Sequence, residues 1–437
     1  MKAVAAKVWA NRTFTALRVR NYRLFATGSL VSNVGTWMQR VAQDWLVLKL
    51  TDSGAALGIT TGLQFLPMLL FSPMAGVVAD RFPKRRVLMV TQVAMGISAA
   101  ALGVLAISGV VQTWHVYVLA FVFGTATAFD SPARQAFVNE MVEPSMIVNA
   151  VGLNSASFNL ARMIGPAVAG AVIALLGSGV RATGWVILLN AISYVSVLYS
   201  LSLMRSEEMH PSPLLRRARG QLGDGLRYVR NRPDILLVLG VVFCAGTFGL
   251  NFQLTTALMA TEVYGMGAGE YGILGSVLAI GSLAGALVAA RRTSSRQRLV
   301  VVSALAFGVS EIVAGLMPSY LTFALFLPVC GFAGLTVVTA ANSFVQMATD
   351  AAMRGRVMAL YMMIFMGGTP AGAPLLGWVA DHLGARWTLI GGGALTALGT
   401  IVVVLVTTRG QGIVPTRYVR PRHGGPDTGE LAPVVGD

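Results

Sequence analysis

The chain has 437 residues, of which 55% are hydrophobic and 12% charged, and its mean hydropathy is +0.68. A soluble domain carries about 25% charged residues, so this composition excludes a water-soluble globule. The net charge of +15 does not indicate nucleic-acid binding, because the basic residues lie in short segments between long apolar stretches.

The apolar stretches predict an all-α membrane protein with twelve transmembrane helices. Each stretch is about 20 residues long, which is enough to cross a hydrocarbon layer about 30 Å thick as a helix. The predicted spans are 22–48, 54–78, 87–108, 114–130, 147–176, 183–204, 235–261, 269–290, 299–317, 320–345, 355–379 and 387–407.

The loops between the spans predict the orientation of the chain. Most of the 33 Lys and Arg residues lie in the tails and in every second loop, whereas only Lys49, Arg181 and Arg386 lie in the opposite loops. Basic loops stay in the cytoplasm. The sequence therefore predicts a multi-pass protein of a bacterial inner (plasma) membrane with both termini in the cytoplasm.

The longest polar stretch divides the spans six and six, and the two halves share a repeat. Ala136-Phe137-Val138-Asn139 recurs as Ser343-Phe344-Val345-Gln346, which predicts two related bundles with a site between them near the midplane of the bilayer. The predicted division is a cytoplasmic tail 1–21, a bundle 22–204, a basic cytoplasmic linker 205–234, a second bundle 235–407 and a disordered cytoplasmic tail 408–437.

The loop between spans two and three carries the most specific motif, Gly76-Val77-Val78-Ala79-Asp80-Arg81-Phe82-Pro83-Lys84-Arg85-Arg86. It resembles the loop signature of the major facilitator superfamily, G-x-x-x-D-R-x-G-R-R/K, with Pro83 in place of a glycine. The resemblance implies a conformational latch of Gly76, Asp80, Arg81 and Arg85, in which Asp80 meets a helix N-terminus or a basic group of the other half in one state. The alternative is that the loop is basic only to set topology.

Span five resembles the antiporter signature of the same superfamily, G-x8-G-x3-G-P-x2-G-G, at Gly152, Gly165, Pro166 and Gly170. Small residues on one face permit a close approach of another helix, and the proline loosens the local hydrogen bonding. We expect Gly165 and Gly170 to lie against the other half. The alternative is ordinary small-residue packing within a bundle.

Two further segments narrow the resemblance. Residues 129–138, FDSPARQAFV, and 36–47, TWMQRVAQDWLV, are similar to the subfamily that contains the enterobactin exporter and bacterial macrolide efflux proteins. The resemblance covers about residues 20–407. It implies the twelve-helix major facilitator fold and export of a small organic compound such as a drug, a siderophore or another metabolite, commonly driven by inward proton flow.

Charged residues inside predicted spans indicate the candidate coupling site. Each costs about 2.5–3.5 kcal/mol at the bilayer centre unless it is paired or faces water. Asp44 and Arg40 lie four residues apart on span one, and Arg162 lies on span five, so we expect these three to form a proton-coupling site. A permanently ionised structural pair is the alternative. Glu311 ranks below Asp44 because the fold that the resemblance implies places span nine at the periphery.

Polar, aromatic and thioether side chains on the same predicted faces indicate a substrate cavity, because such a lining adapts to varied amphipathic ligands. Methionines at helical spacing also occur in simple packing. The candidate cavity residues are Asn33, Trp37, Asn159, Asn251, Met362 and Met366.

The sequence carries no sign of an enzyme, a cofactor or a metal site. The histidines are scattered without ligand spacing, and no phosphate-binding loop is present. The expected partners are the lipid bilayer, a small-molecule substrate and protons, with no nucleic acid, and the expected state is a monomer. A metabolite importer or facilitator on the same fold and a non-transporting membrane sensor are the alternative functions.

Overall fold

The computed structural model describes residues 12–210, 221–292, 296–351 and 353–409. Within these ranges the secondary structure is helical and contains no strand, which confirms the all-α prediction. Twelve long helical segments follow one another, and we number them α1–α12. They are α1 Arg20–Thr51, α2 Gly54–Arg81, α3 Lys84–Ser108, α4 Thr113–Glu140, α5 Ile147–Leu175, α6 Val180–Ser202, α7 Pro233–Val263, α8 Ala268–Ala290, α9 Gln297–Gly315, α10 Tyr320–Ala348, α11 Arg354–Leu383 and α12 Arg386–Arg409.

Among the described residues, eleven helical segments are long and apolar enough to cross a membrane, and α1 is the exception. Helix α1 has 32 residues, so its length is sufficient, but it carries several polar and charged side chains. Gln39, Gln43 and Asp44 are buried inside the protein and do not face lipid. The hydropathy of α1 is therefore low because this helix lies in the interior of the bundle.

The two halves of the chain repeat one packing pattern. In α1–α6, α2 packs against α4, α3 against α6, and α1 against both α5 and α6; in α7–α12, α8 packs against α10, α9 against α12, and α7 against both α11 and α12. Close helix contacts depend on glycine, since a side chain at Gly124 would meet the backbone of Gln64 and one at Gly331 would meet that of Leu278. The fold is that of two pseudo-symmetric six-helix bundles.

Two helix pairs form most of the contact between the halves, namely α2 with α11 and α5 with α8. The repeat exchanges these pairs, because α2 corresponds to α8 and α5 to α11. We call the end of the molecule with the loop Phe82–Pro83 and the segment between α6 and α7 the linker end, and the end with the loop Asp52–Ser53 the far end. The pairs approach closely in their far-end portions, where Gly58 meets Ala373 and Gly170 meets Ala268.

The segment between the halves contains a short helix, Gln221–Arg230, that packs on the second half. Asp224 accepts a hydrogen bond from Arg356 at 3.1 Å, and Tyr228 donates one to Asp350 at 3.0 Å. Residues 1–11, 211–220 and 410–437 lie outside the described residues, and with them most of the predicted C-terminal tail.

Candidate functional site

A cavity of about 320 Å³ lies between the two halves, within the size range of small-molecule sites. Helices α1, α2 and α5 line it from one side, and α7, α8, α10 and α11 from the other. Its walls are mainly apolar and aromatic, with a few polar groups. The lining side chains include Trp37, Arg40, Phe65, Arg162, Asn251, Gln253, Tyr271, Phe365 and Met366.

Two arginines share one aromatic ring in this cavity. The guanidinium carbon of Arg40 lies 4.8 Å from the ring centroid of Trp37 and 5.5 Å from that of Phe65. The guanidinium carbon of Arg162 lies 5.7 Å from the Trp37 centroid. Helical spacing on α1 places Trp37 and Arg40 on one face, and the crossing of α1 with α5 adds Arg162.

Asp44 lies beside this cavity with 1% of its surface exposed. Its Oδ2 accepts hydrogen bonds from Gln253 Nε2 and from the Tyr271 hydroxyl, both at 2.7 Å. Neither Arg40 nor Arg162 forms an ion pair with it among the described residues. Because Gln253 is on α7 and Tyr271 on α8, the carboxylate of the first half is held by the second half.

Helix α7 is interrupted where it borders the cavity. A π-helical turn covers Ala245–Gly249, and the backbone leaves helical geometry at Leu250 and Asn251 before the helix resumes. Glycines of α11 press against this turn, since a side chain at Gly372 would meet the Thr247 carbonyl. Asn251 Oδ1 is buried without a hydrogen-bond partner among the described residues. Interrupted helices commonly form binding sites in transporters.

The structure brings some of the predicted cavity residues together and separates others. Trp37, Asn251 and Met366 line the cavity described above, whereas Asn33, Asn159 and Met362 are outside its lining. Asn159 Nδ2 donates to the carbonyl oxygen of Ser155 at 2.9 Å, and the Met362 side chain is 40% exposed. These assignments to the substrate path stay predictions.

The small residues of α5 make two different contacts. A side chain at Gly170 would meet the carbonyl oxygen of Ala268 in α8 at 2.5 Å, and a side chain at Gly275 in α8 would meet Pro166 at 3.0 Å. Gly170 therefore lies against the other half, as expected. Gly165 instead packs on Trp37 of α1 in its own half. A side chain at Gly152 would meet no atom of another helix within 4 Å.

The halves are also joined at the far end by Asp381 of α11. Its carboxylate accepts hydrogen bonds from the Ser53 hydroxyl at 2.7 Å and from the backbone amides of Gly54 and Ala55 at 2.6 and 3.1 Å. An acid at a helix N-terminus is favourable because of the free amides and the helix dipole. Sequence reasoning missed this contact.

A sequence signal for this contact does exist. Gly377-Trp378-Val379-Ala380-Asp381 repeats the pattern of Gly76-Val77-Val78-Ala79-Asp80 at the end of α2. A side chain at Gly377 would meet the carbonyl oxygen of Gly54. The glycine therefore permits the close approach of α11 to the start of α2, and the hydrogen bonds of Asp381 stabilise it. The segment of Gly76 lies at the end of α2 and that of Gly377 at the end of α11, and these two helices pack against each other between the halves.

The loop between α2 and α3 is held by its own half. Arg85 donates hydrogen bonds to Ser206 Oγ at 2.9 Å and to the Ser202 carbonyl at 3.2 Å. Lys84 and Glu140 form a buried ion pair of 2.7 Å. The proposed contact of Asp80 with the opposite half stays a prediction.

Two further intramembrane acids have distinct environments. Asp130 pairs with Arg134 at 2.8 Å and accepts hydrogen bonds from Thr91 and Gln92, so both of its carboxylate oxygens have partners within the first half. Glu311 is 1% exposed, and its Oε2 has no hydrogen-bond partner in the described part of the chain. Its side chain faces the π-helical turn of α7 and not lipid, because a side chain at Gly249 would meet Glu311 Oε2 at 2.8 Å.

Comparison with known proteins agrees with this architecture. Residues 11–412 match the family described as transmembrane secretion effector. The chain is 29% identical over 400 residues to the multidrug efflux pump Tap of Mycolicibacterium fortuitum, covering 88% of this chain and 95% of that protein. It is 22% identical over 394 residues to macrolide efflux protein A of Streptococcus pyogenes, with the same coverage.

Solved structures show the same fold at low identity. A bacterial homologue of the human lysosomal transporter Spinster, in an inward-facing and occupied conformation, aligns with a TM-score of 0.68 at 16% identity over 90% of this chain and 97% of that one. The nucleoside transporter NupG aligns with a TM-score of 0.70 at 11% identity over 90% and 99%. The chain therefore belongs to the transmembrane secretion effector family of the major facilitator superfamily and is a multi-pass membrane transporter of small molecules, not an enzyme.

Proposed function

We propose that the protein exports a small organic compound, such as a drug, a siderophore or another metabolite, by proton antiport with alternating access. It acts as a monomer in a bacterial plasma membrane, with both termini and the linker end in the cytoplasm. The direction is supported by relatives that are named efflux pumps. In this orientation the far end faces the outside, and the contact of Asp381 with the start of α2 holds the two halves together there.

The observation that carries proton coupling is the position of Asp44. Its carboxylate accepts hydrogen bonds from Gln253 and Tyr271 of the opposite half, and these two side chains line the cavity. An ionised carboxylate accepts such bonds more strongly than a protonated one. Opening of the far end must break both bonds, so protonation of Asp44 and the conformation of the transporter are thermodynamically linked.

Arg40 and Arg162 have a supporting role in this proposal. Both line the cavity beside which Asp44 lies, and in general a neighbouring cation disfavours protonation of a carboxylate whereas burial favours it. Competition between these effects is what a site needs if it is to bind and release a proton in each cycle. Arg162→Ala is expected to impair transport and exchange together.

Asp44→Asn provides the test. Inverted membrane vesicles with an imposed pH gradient are loaded with a compound selected by an overexpression sensitivity screen. We expect wild-type vesicles to accumulate it only when the gradient is present. Asp44→Asn is expected to lose at least 90% of gradient-driven accumulation while exchange of the compound without a gradient persists.

Glu311→Gln is the matched control, because it replaces another buried acid of the described residues by its amide. We expect gradient-driven accumulation to persist in this variant. Undiminished accumulation in Asp44→Asn, or a collapse only in Glu311→Gln, would contradict the assignment and move coupling to α9. Transport that ignores the gradient in both vesicle orientations would favour a facilitator, and no transport of any compound would favour a sensor.

A further inference from the structure

The cavity between the halves carries more positive charge than the protein neutralises. Of the residues that line it in the described part of the chain, the charged ones are Arg40 and Arg162. Neither guanidinium has a hydrogen-bond acceptor or an ion-pair partner among the described residues, and Arg40 Nε is buried without a partner there. Their contacts are with the face of Trp37 and, for Arg40, also with Phe65.

Two other partly buried arginines of this protein have hydrogen-bond acceptors. Arg134 pairs with Asp130 at 2.8 Å, and Arg386 donates to the carbonyl oxygens of Gly315 and Met317, both at 2.8 Å. A bonded guanidinium is expected inside a bundle, because a buried unpaired charge is costly. Arg20, Arg85 and Arg292 also have a buried N–H without an acceptor among the described residues, but they lie at helix ends. Arg40 and Arg162 differ from them because they lie within helices, beside the cavity.

Asp44 can offset only one of these two charges, and it forms no ion pair with either arginine among the described residues. Its carboxylate is 1% exposed, is outside the cavity lining and is already held by Gln253 and Tyr271. The other groups that face the two arginines from α2, α7 and α8 are neutral, such as Phe65 and the two donors to Asp44. Two arginines therefore lie in a cavity whose other lining residues, in the described part of the chain, are uncharged, and neither guanidinium has an acceptor there.

We propose that the transported compound is an amphipathic organic anion, whose carboxylate, sulfonate or phosphate group is held between Arg40 and Arg162. A guanidinium presents paired N–H donors that match the oxygens of such a group. The aromatic and aliphatic side chains around Trp37 and Phe365 then take the apolar body of the ligand. This inference rests on the proposed export function and specifies the chemical class of its substrate.

The test compares binding of two xanthene dyes of opposite charge, fluorescein as the anion and rhodamine 6G as the cation. Fluorescence anisotropy with the purified, detergent-solubilised protein gives Kd for each dye. We expect wild-type protein to bind fluorescein at least 10-fold more tightly than rhodamine 6G. A charge-assisted hydrogen bond corresponds to about 10-fold to 100-fold in affinity, so Arg40→Gln and Arg162→Gln should each weaken fluorescein binding by such a factor.

The controls separate charge from folding. Both variants should keep rhodamine 6G binding unchanged or tighter, Arg40→Lys should retain part of the anion preference, and the exposed Arg181→Gln should change neither Kd. Equal or tighter binding of rhodamine 6G by wild type, no binding of fluorescein, or equal weakening of both dyes in the two glutamine variants overturns the proposal. Should the variants not fold, the wild-type dye preference still decides.

Vesicle transport separates this inference from the function on which it rests. Gradient-driven export of a cation but of no anion leaves proton antiport standing and overturns the anion site. Tight fluorescein binding that depends on Arg40 and Arg162, without gradient-driven export, supports the anion site and contradicts the antiport function.

Discussion

Asp381→Asn is expected to loosen the closure of the two halves at the far end. In the structure its carboxylate accepts three hydrogen bonds from the start of α2, through Ser53, Gly54 and Ala55. A charge at a helix N-terminus contributes about 0.3–1 kcal/mol, and a hydrogen bond to a charged group about 1.5–3 kcal/mol before solvent screening. Asp381 is exposed, so screening lowers these values.

We therefore expect a loss of about 1–2 kcal/mol in the free-energy difference between the closed and open far end, which is about a 5-fold to 30-fold shift in their ratio. Spin labels on α3 and before α10, at Ser108→Cys and Ser319→Cys, report the distance across this end by pulsed electron paramagnetic resonance. Both positions are exposed and belong to opposite halves. The buried Cys244 and Cys330 are replaced by alanine in this background.

The expected result is a larger population at long distance in Asp381→Asn, and a larger one still in Asp381→Ala. Asp52→Asn is the matched control, because Asp52 is an exposed acid at the same end and its side chain forms no hydrogen bond or ion pair with the described residues of the other half. Distance distributions that are identical in wild type and both Asp381 variants would refute the reasoning, as would an equal shift in Asp52→Asn.

Three further outcomes are expected. Gly170→Val should reduce transport at least 10-fold because its side chain meets α8, whereas Gly152→Val should be tolerated; equal effects in a transport assay would contradict this packing argument. Asp80→Asn should leave insertion and folding intact but slow transport, and a normal rate would return its loop to a topological role. Lys84→Met should lower the thermal unfolding temperature clearly, because it removes the buried ion pair between Lys84 and Glu140, and breaking such a pair costs about 3–5 kcal/mol; an unchanged temperature would show that the pair is not stabilising.

Much of the site could be predicted because a charged side chain that faces lipid has a high free-energy cost. This argument identified Arg40, Asp44 and Arg162, and the structure places the two arginines in the cavity lining and Asp44 beside it. The cost of charge in lipid does not predict the positions of uncharged side chains. Asn33 and Met362 share predicted faces with residues of the cavity, yet they lie outside its lining, because the face that a helix turns inward changes along its length as it crosses its neighbours.

Partners from the second half were harder to predict. Gln253 and Tyr271 are neutral, so their positions in the membrane carry a small cost and give no signal in the sequence. Asp381 is in an exposed position where an acid is ordinary, and its signal in the sequence is the repeat of the Gly-x-x-x-Asp pattern of α2. Each gains its role only because another helix lies opposite, and the closure of the far end decides which helix that is.

The sequence by itself determined that the chain consists of long apolar helices in this order, since each apolar stretch must satisfy its backbone hydrogen bonds within lipid as a helix. It also determined that the interior of α1 and α5 is charged. Only the tertiary structure decided that Asp44 bonds to Gln253 and Tyr271 and not to Arg40, and that Gly165 packs on Trp37 while Gly170 packs on α8. The reason is physical: burial in a membrane follows from the properties of one segment, but partner choice depends on the relative rotation and crossing of two helices that are distant in the chain.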